Sequence, residues 1–76
     1  MKYLDKFENR YFREYAVRDS WIPIIDEALD KIFEIAPDTK ILQIKEKFGE
    51  LRVYTTNAMQ ANPFILEAER KCAQTP

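Results

Sequence analysis

At 76 residues the chain has room for one domain, and a domain of that size buries only roughly 60% of the surface its unfolded chain exposes, so stability is thin. Hydrophobic residues make up 46% of the chain, ten residues are aromatic and only one is glycine, a composition that excludes a disordered polypeptide. A single cysteine, Cys72, and no histidine exclude an intramolecular disulfide, Ser-His and Cys-His nucleophile pairs and a histidine-containing zinc site, while a net charge of −1 lacks the basic excess of a general nucleic-acid binder.

That charge is unevenly spread: residues 1–18 sum to +2, residues 19–36 to −4, residues 37–56 to +1 and residues 57–76 to zero. No apolar run approaches the length of a membrane span, and charged residues rather than a signal-like apolar stretch follow Lys2. With one unpaired cysteine, the expected location is the cytoplasm.

Tyr3, Leu4, Phe7, Tyr11, Phe12, Tyr15 and Ala16 recur at spacings of three and four, which predicts an amphipathic helix over residues 3–17. Asp19-Ser20 reads as a break and an N-cap, with Pro23 tolerated in the first turn of a second helix over residues 21–35. Its apolar arc, from Trp21 and Ile22 to Ile35, spans roughly 180°, wider than one packing surface requires. Pro37 ends it.

From residue 39 the period changes to two, predicting strands over residues 40–47 and 51–56. The only glycine lies between them, and a Gly49-Glu50 turn of type II′ would set Phe48 opposite Leu51 and Lys47 opposite Arg52. In that register Leu42, Ile44, Phe48, Leu51 and Val53 face the core, with Glu46 the one misfit. Asn62-Pro63 then opens a last helix over residues 63–73, with Phe64, Ile65, Ala68 and Cys72 on its inner stripe. The fold class expected is a small α+β single domain over residues 1–76, in the order α-α-β-β-α, with one antiparallel β-hairpin packed on helices.

Three groups of side chains stand out. Asp26, Asp30 and Glu34 form an i, i+4, i+8 row of like charges on the second helix, read first as a solvated acidic surface and second as a surface for a basic partner. Lys45, Lys47, Arg52 and Tyr54 share the outer face of the hairpin, where like charges opposite one another call for an anion between them; the competing reading is a lysine-protected sheet edge. The stripe with Tyr3, Tyr11 and Tyr15 suits a core or an interface equally. Cys72 reads as a small core residue. No catalytic residue, no metal site and no cofactor is expected.

The stretch QIKEKFGELRVY, Gln43 to Tyr54, resembles a signature of small uncharacterised bacteriophage and bacterial proteins, in which such a hairpin follows a helix bearing a Trp and an apolar run; here that helix begins at Trp21. The resemblance spans about residues 20–72. Many such proteins look to continue into a Cys-x-x-Cys metal knuckle, whereas Ala-Gln-Thr-Pro76 follows Cys72 here, so no metal is expected. A phage origin would imply an inhibitor of a host system, of the anti-CRISPR or another counter-defence type. The expected function is therefore a non-enzymatic protein-binding module with a larger host protein or complex as partner. The alternatives are a nucleic-acid-binding accessory protein using the basic hairpin face, and a homodimer or larger homo-oligomer joined through the wide arc of the second helix.

Overall fold

The computed structural model covers residues 1–76. A 3₁₀ turn at Leu4–Lys6 is followed by strand β1 (Tyr15–Ala16), and a second 3₁₀ turn at Asp19–Trp21 leads into helix α1 (Ile22–Ile35). Strands β2 (Ile41–Lys47) and β3 (Glu50–Thr55) and helix α2 (Ala58–Ala73) complete the chain. The α+β class and the antiparallel hairpin are as expected; the sheet, however, has three strands in the order β1-β2-β3, with β1 parallel to β2.

The predicted helix over residues 3–17 does not form. Phe7 bridges Ile41, and Tyr15 and Ala16 pair with Ile44 and Lys45, so the segment runs alongside β2 as an extended strap. Residues 7 and 15 are eight apart, but their partners 41 and 44 are only three apart, and the surplus chain arches out. The three-and-four spacing of aromatics, which imitates a helix, serves tertiary packing instead: Phe7 and Tyr15 enter the core, Tyr3 stacks on Phe33 with centroids 4.7 Å apart, and Tyr11 and Phe12 sit exposed on the arch. Like-charged Lys2, Lys6 and Arg10 gave such a helix little local support, and the tertiary contacts decide the conformation.

Helix α1 lies within one residue of its expected span. Its arc is consumed inside the protomer: Trp21, Ile25, Leu29 and Ile32 are fully buried, and Ile22, Ile24, Ala28 and Phe33 pack on the same core, leaving only Ile35 of the arc substantially exposed. The width of the arc thus reflects contact with the strap, the sheet and α2, and it leaves no large apolar face for a second subunit. Ser20 does not cap the helix; its hydroxyl donates to the carbonyl of Pro76, while the Trp21 indole N–H donates to the carbonyl of Thr75 at 2.9 Å, tying the end of the chain to the start of α1.

The hairpin turns one residue earlier than expected. Lys47 pairs with Glu50, so the turn residues are Phe48 and Gly49, with φ of 53° and 77°. Positive φ at both positions is the mark of a type I′ connection, which matches the right-handed twist of the strands. The shift moves every cross-strand partner: Glu46 faces Leu51, Lys45 faces Arg52, and Ile44 faces Val53. Phe48 and Leu42 are consequently not core residues; Phe48 is 91% exposed and Leu42 is turned outward by a register shift between Ile41 and Gln43, leaving Ile41, Ile44 and Leu51 as the fully buried strand residues.

Helix α2 begins at Ala58, five residues before its predicted start. Asn57 takes φ 53° at its N-cap, a left-handed position that Asn tolerates. Its amide reaches back to Asp38 at 3.2 Å and Thr39 at 3.0 Å. Pro63 therefore lies inside the helix and offers no N–H to the Met59 carbonyl; the added turn buries Ala61 completely. Cys72 is buried on the inner stripe. Both helices cover one face of the sheet, and the opposite face, with Ala16, Gln43, Lys45, Lys47, Arg52 and Tyr54, carries no helix.

Candidate functional site

The acidic row divides. Asp26 Oδ1 accepts from the Lys2 backbone N–H at 3.0 Å and the Tyr15 hydroxyl at 2.8 Å, and Asp30 Oδ1 accepts from Lys2 Nζ at 2.7 Å and from the Tyr3 hydroxyl. The Tyr15 hydroxyl also accepts from the Tyr3 N–H at 3.2 Å. These two carboxylates are not a free acidic surface; they anchor the strap, and only Glu34 of the row stays outside the network. Lys2 and Tyr3 hold the Asp30 carboxyl below the usual carboxylate range, while burial, reinforced by the bond to Asp26, pushes the Tyr15 phenol well above its ordinary value. The Tyr3 phenol is raised by its bond to Asp30. Neutral phenols donating to ionised carboxylates form a structural latch, and a raised tyrosine is a poor base near neutrality.

Of the three tyrosines named for partner binding, Tyr15 is therefore a core residue and Tyr3 a latch residue. Tyr11 alone is free, 93% exposed on the arch, where its N–H donates to the Asn9 side chain at 2.9 Å. Beside it Phe12, 71% exposed, lines an open groove of about 290 Å³ with Ala16, Leu42 and Gln43.

The groove runs onto the helix-free face. There Lys45 stands opposite Arg52 on neighbouring strands, rather than Lys47 as expected, so the like-charged juxtaposition exists one rung further from the turn. Arg52 is partly neutralised by Glu50 at 3.0 Å, whereas Lys45 and Lys47 make no ion pair. Tyr54, half-exposed, extends the face. At its end, the exposed Phe48 ring sits 5.8 Å from Lys47 Nζ. Glu46, the apparent misfit, is engaged from the other side: its carboxylate binds the Arg18 guanidinium, which stacks 4.3 Å from the Trp21 ring, and this pairing draws the Glu46 carboxyl below its ordinary value.

Elsewhere the charges close on themselves. Lys31 with Glu67 at 3.8 Å and Lys71 with Glu27 at 3.5 Å bridge α1 and α2, and within each helix Lys31 also meets Glu27 and Lys71 meets Glu67. Burial pushes the Cys72 thiol up to about 11, which leaves it protonated and inert near neutrality. No group of three acidic, histidine or cysteine side chains is placed to hold a metal ion. The basic and aromatic residues of the helix-free face are thus the side chains best placed to act on something outside the molecule. Phe48 was placed in the core from the sequence, and Phe12, on the stripe read as core or interface, was not singled out for binding. The signal for Phe48 was Gly49 itself, since X-Gly at the centre of a two-residue turn exposes X.

No family model, no curated protein and no solved structure matches the chain.

Proposed function

We propose that this protein is a non-enzymatic binding module that docks on a larger protein through the helix-free face of its sheet. The observation that carries the proposal is the pairing of Lys45 with Arg52 on a face where neither Lys45 nor Lys47 makes an ion pair, the carboxylate opposite Lys47, Glu50, being bonded to Arg52; Tyr54, Leu42 and Phe12 flank it. Arginine and aromatic residues, here Arg52, Tyr54 and Phe12, are enriched at protein interfaces. Acidic groups on the partner would relieve the repulsion that the fold leaves in place. The likeness of the hairpin motif to small phage proteins favours a host protein as partner, binding in the host cytoplasm, and inhibition of a host defence system, of the anti-CRISPR kind or another, as the result. No helix is long and apolar enough to cross a membrane.

Affinity capture from bacterial lysate tests the proposal. The wild type should retain a partner that the Lys45→Glu/Arg52→Glu variant loses, and equal retention by both would contradict it. A second reading, single-stranded nucleic acid on the same face, draws on the cations beside Tyr54. With two lysines outside any ion pair, it predicts that affinity falls shallowly with salt, with a slope of about −1.4 in log affinity against log salt.

A further inference from the structure

The turn of the hairpin holds a residue that its backbone disfavours and its surroundings do not use. A type I′ turn requires positive φ at both central positions. Gly49 meets that requirement at 77° without steric cost, but Phe48 must hold 53°, a left-handed conformation in which a bulky side chain is an outlier. Strain of this kind is ordinarily offset by packing, yet the Phe48 ring is 91% exposed and buries against none of the core. Asn or Gly at this position would make the same turn with less strain, so the benefit of the phenyl ring lies outside the protomer.

We infer that Phe48 is the anchor of the interface: it inserts into an apolar pocket of a partner protein whose rim carries carboxylates. The inference rests on the protein-binding reading and adds the kind of site the partner presents. A single large ring at the tip of a protruding hairpin fits a recess better than a flat surface, and buried aromatic anchors of this sort dominate interface energetics. The charge around it specifies the rim. Lys47 Nζ lies 5.8 Å from the ring centroid and Lys45 two rungs below on the same face; Glu50 stands opposite Lys47 but bonds Arg52, and neither lysine makes an ion pair, so a pocket lined by apolar groups and edged by Asp or Glu complements both ring and collar. A nucleic acid would engage the lysines through its backbone and would stack a base on the ring, so the identity of the crosslinked partner separates the two.

Two measurements test this. In thermal unfolding, Phe48→Asn should raise the melting temperature by about 3–6 °C; a fall would show that the ring serves the fold and would overturn the inference. In bacterial lysate, p-benzoyl-phenylalanine placed at position 48 should photocrosslink to protein, with the adducted peptide carrying apolar residues beside Asp or Glu, while the same probe at exposed Met59 on α2 should not. Adducts to nucleic acid, adducts to a second copy of this chain, equal labelling from position 59, or none at position 48 would each overturn it. Capture that is lost in Lys45→Glu/Arg52→Glu but unchanged in Phe48→Asn would remove the anchor and leave the protein-binding reading standing. Capture that is unchanged in both would remove the two together.

Discussion

On the helical side of this molecule the charges of α1, Glu34 apart, are met from within. Asp26 and Asp30 accept from Lys2, Tyr3 and Tyr15, and Glu27 and Lys31 join Glu67 and Lys71 of α2. On the helix-free face, Lys45 stands opposite Arg52 and Lys47 beside a solvent-exposed Phe48, and neither lysine makes an ion pair. The first set of residues explains how an extended strap stays attached to so small a domain. The second explains nothing about the fold. The contrast separates residues that hold the chain together from residues left over for a partner, and it assigns Asp26 and Asp30 of the acidic row to the former group.

Substitutions on the two sides should therefore behave in opposite ways. The largest effect is expected at Asp26: Asp26→Ala leaves the hydroxyl of the buried Tyr15 without its acceptor and should cost about 2 kcal/mol in urea unfolding. A loss below about 0.5 kcal/mol would place the strap's anchorage elsewhere. Phe48→Asn should act with the opposite sign, stabilising by roughly 0.5–1 kcal/mol as left-handed strain is relieved.

A smaller effect concerns acid. Because Asp30 titrates below its unfolded value, its contribution is complete above about pH 4 and is lost as pH falls through the depressed folded value. Asp30→Asn should therefore flatten the acid limb of stability against pH while leaving its neutral shape unchanged, and an unaltered acid limb would deny the latch its charge component. Lys45→Ala should be the quietest change, within about ±0.5 kcal/mol, because it removes one like-charged neighbour of Arg52 and no partner; a clear destabilisation would move Lys45 to the structural group.

Much of this architecture was legible in the chain. The apolar periodicity of Ile22 to Ile35 located α1 to within a residue, and alternation around Gly49 located the hairpin. Register was lost first at the turn: placing the glycine first rather than second moved Phe48 inward and exchanged the partners of Arg52. A period of two turns such a slip into a change of face, and the bulge near Ile41 added another at Leu42. The strap was illegible for a different reason. Its aromatic spacing satisfies a helix, and nothing local reports that Tyr3 and Tyr15 will find acceptors on Asp30 and Asp26, more than ten residues away in sequence. Helix α2 was shortened by trusting Pro63 as a start, although burial of Ala61 favours the longer helix. For the candidate site, Lys45, Lys47, Arg52, Tyr54 and Tyr11 could be read from the sequence, whereas Phe12 and Phe48 needed the backbone.

The most direct test of the helix-free face is a chemical-shift map of ¹⁵N-labelled protein titrated with the captured partner. The largest amide changes should fall between Lys45 and Tyr54, centred on Phe48 and Gly49, with further changes at Phe12 and Ala16 and little along the exposed side of α1. Changes concentrated on α1 and α2, with the hairpin amides unmoved, would contradict the assignment of this face to binding.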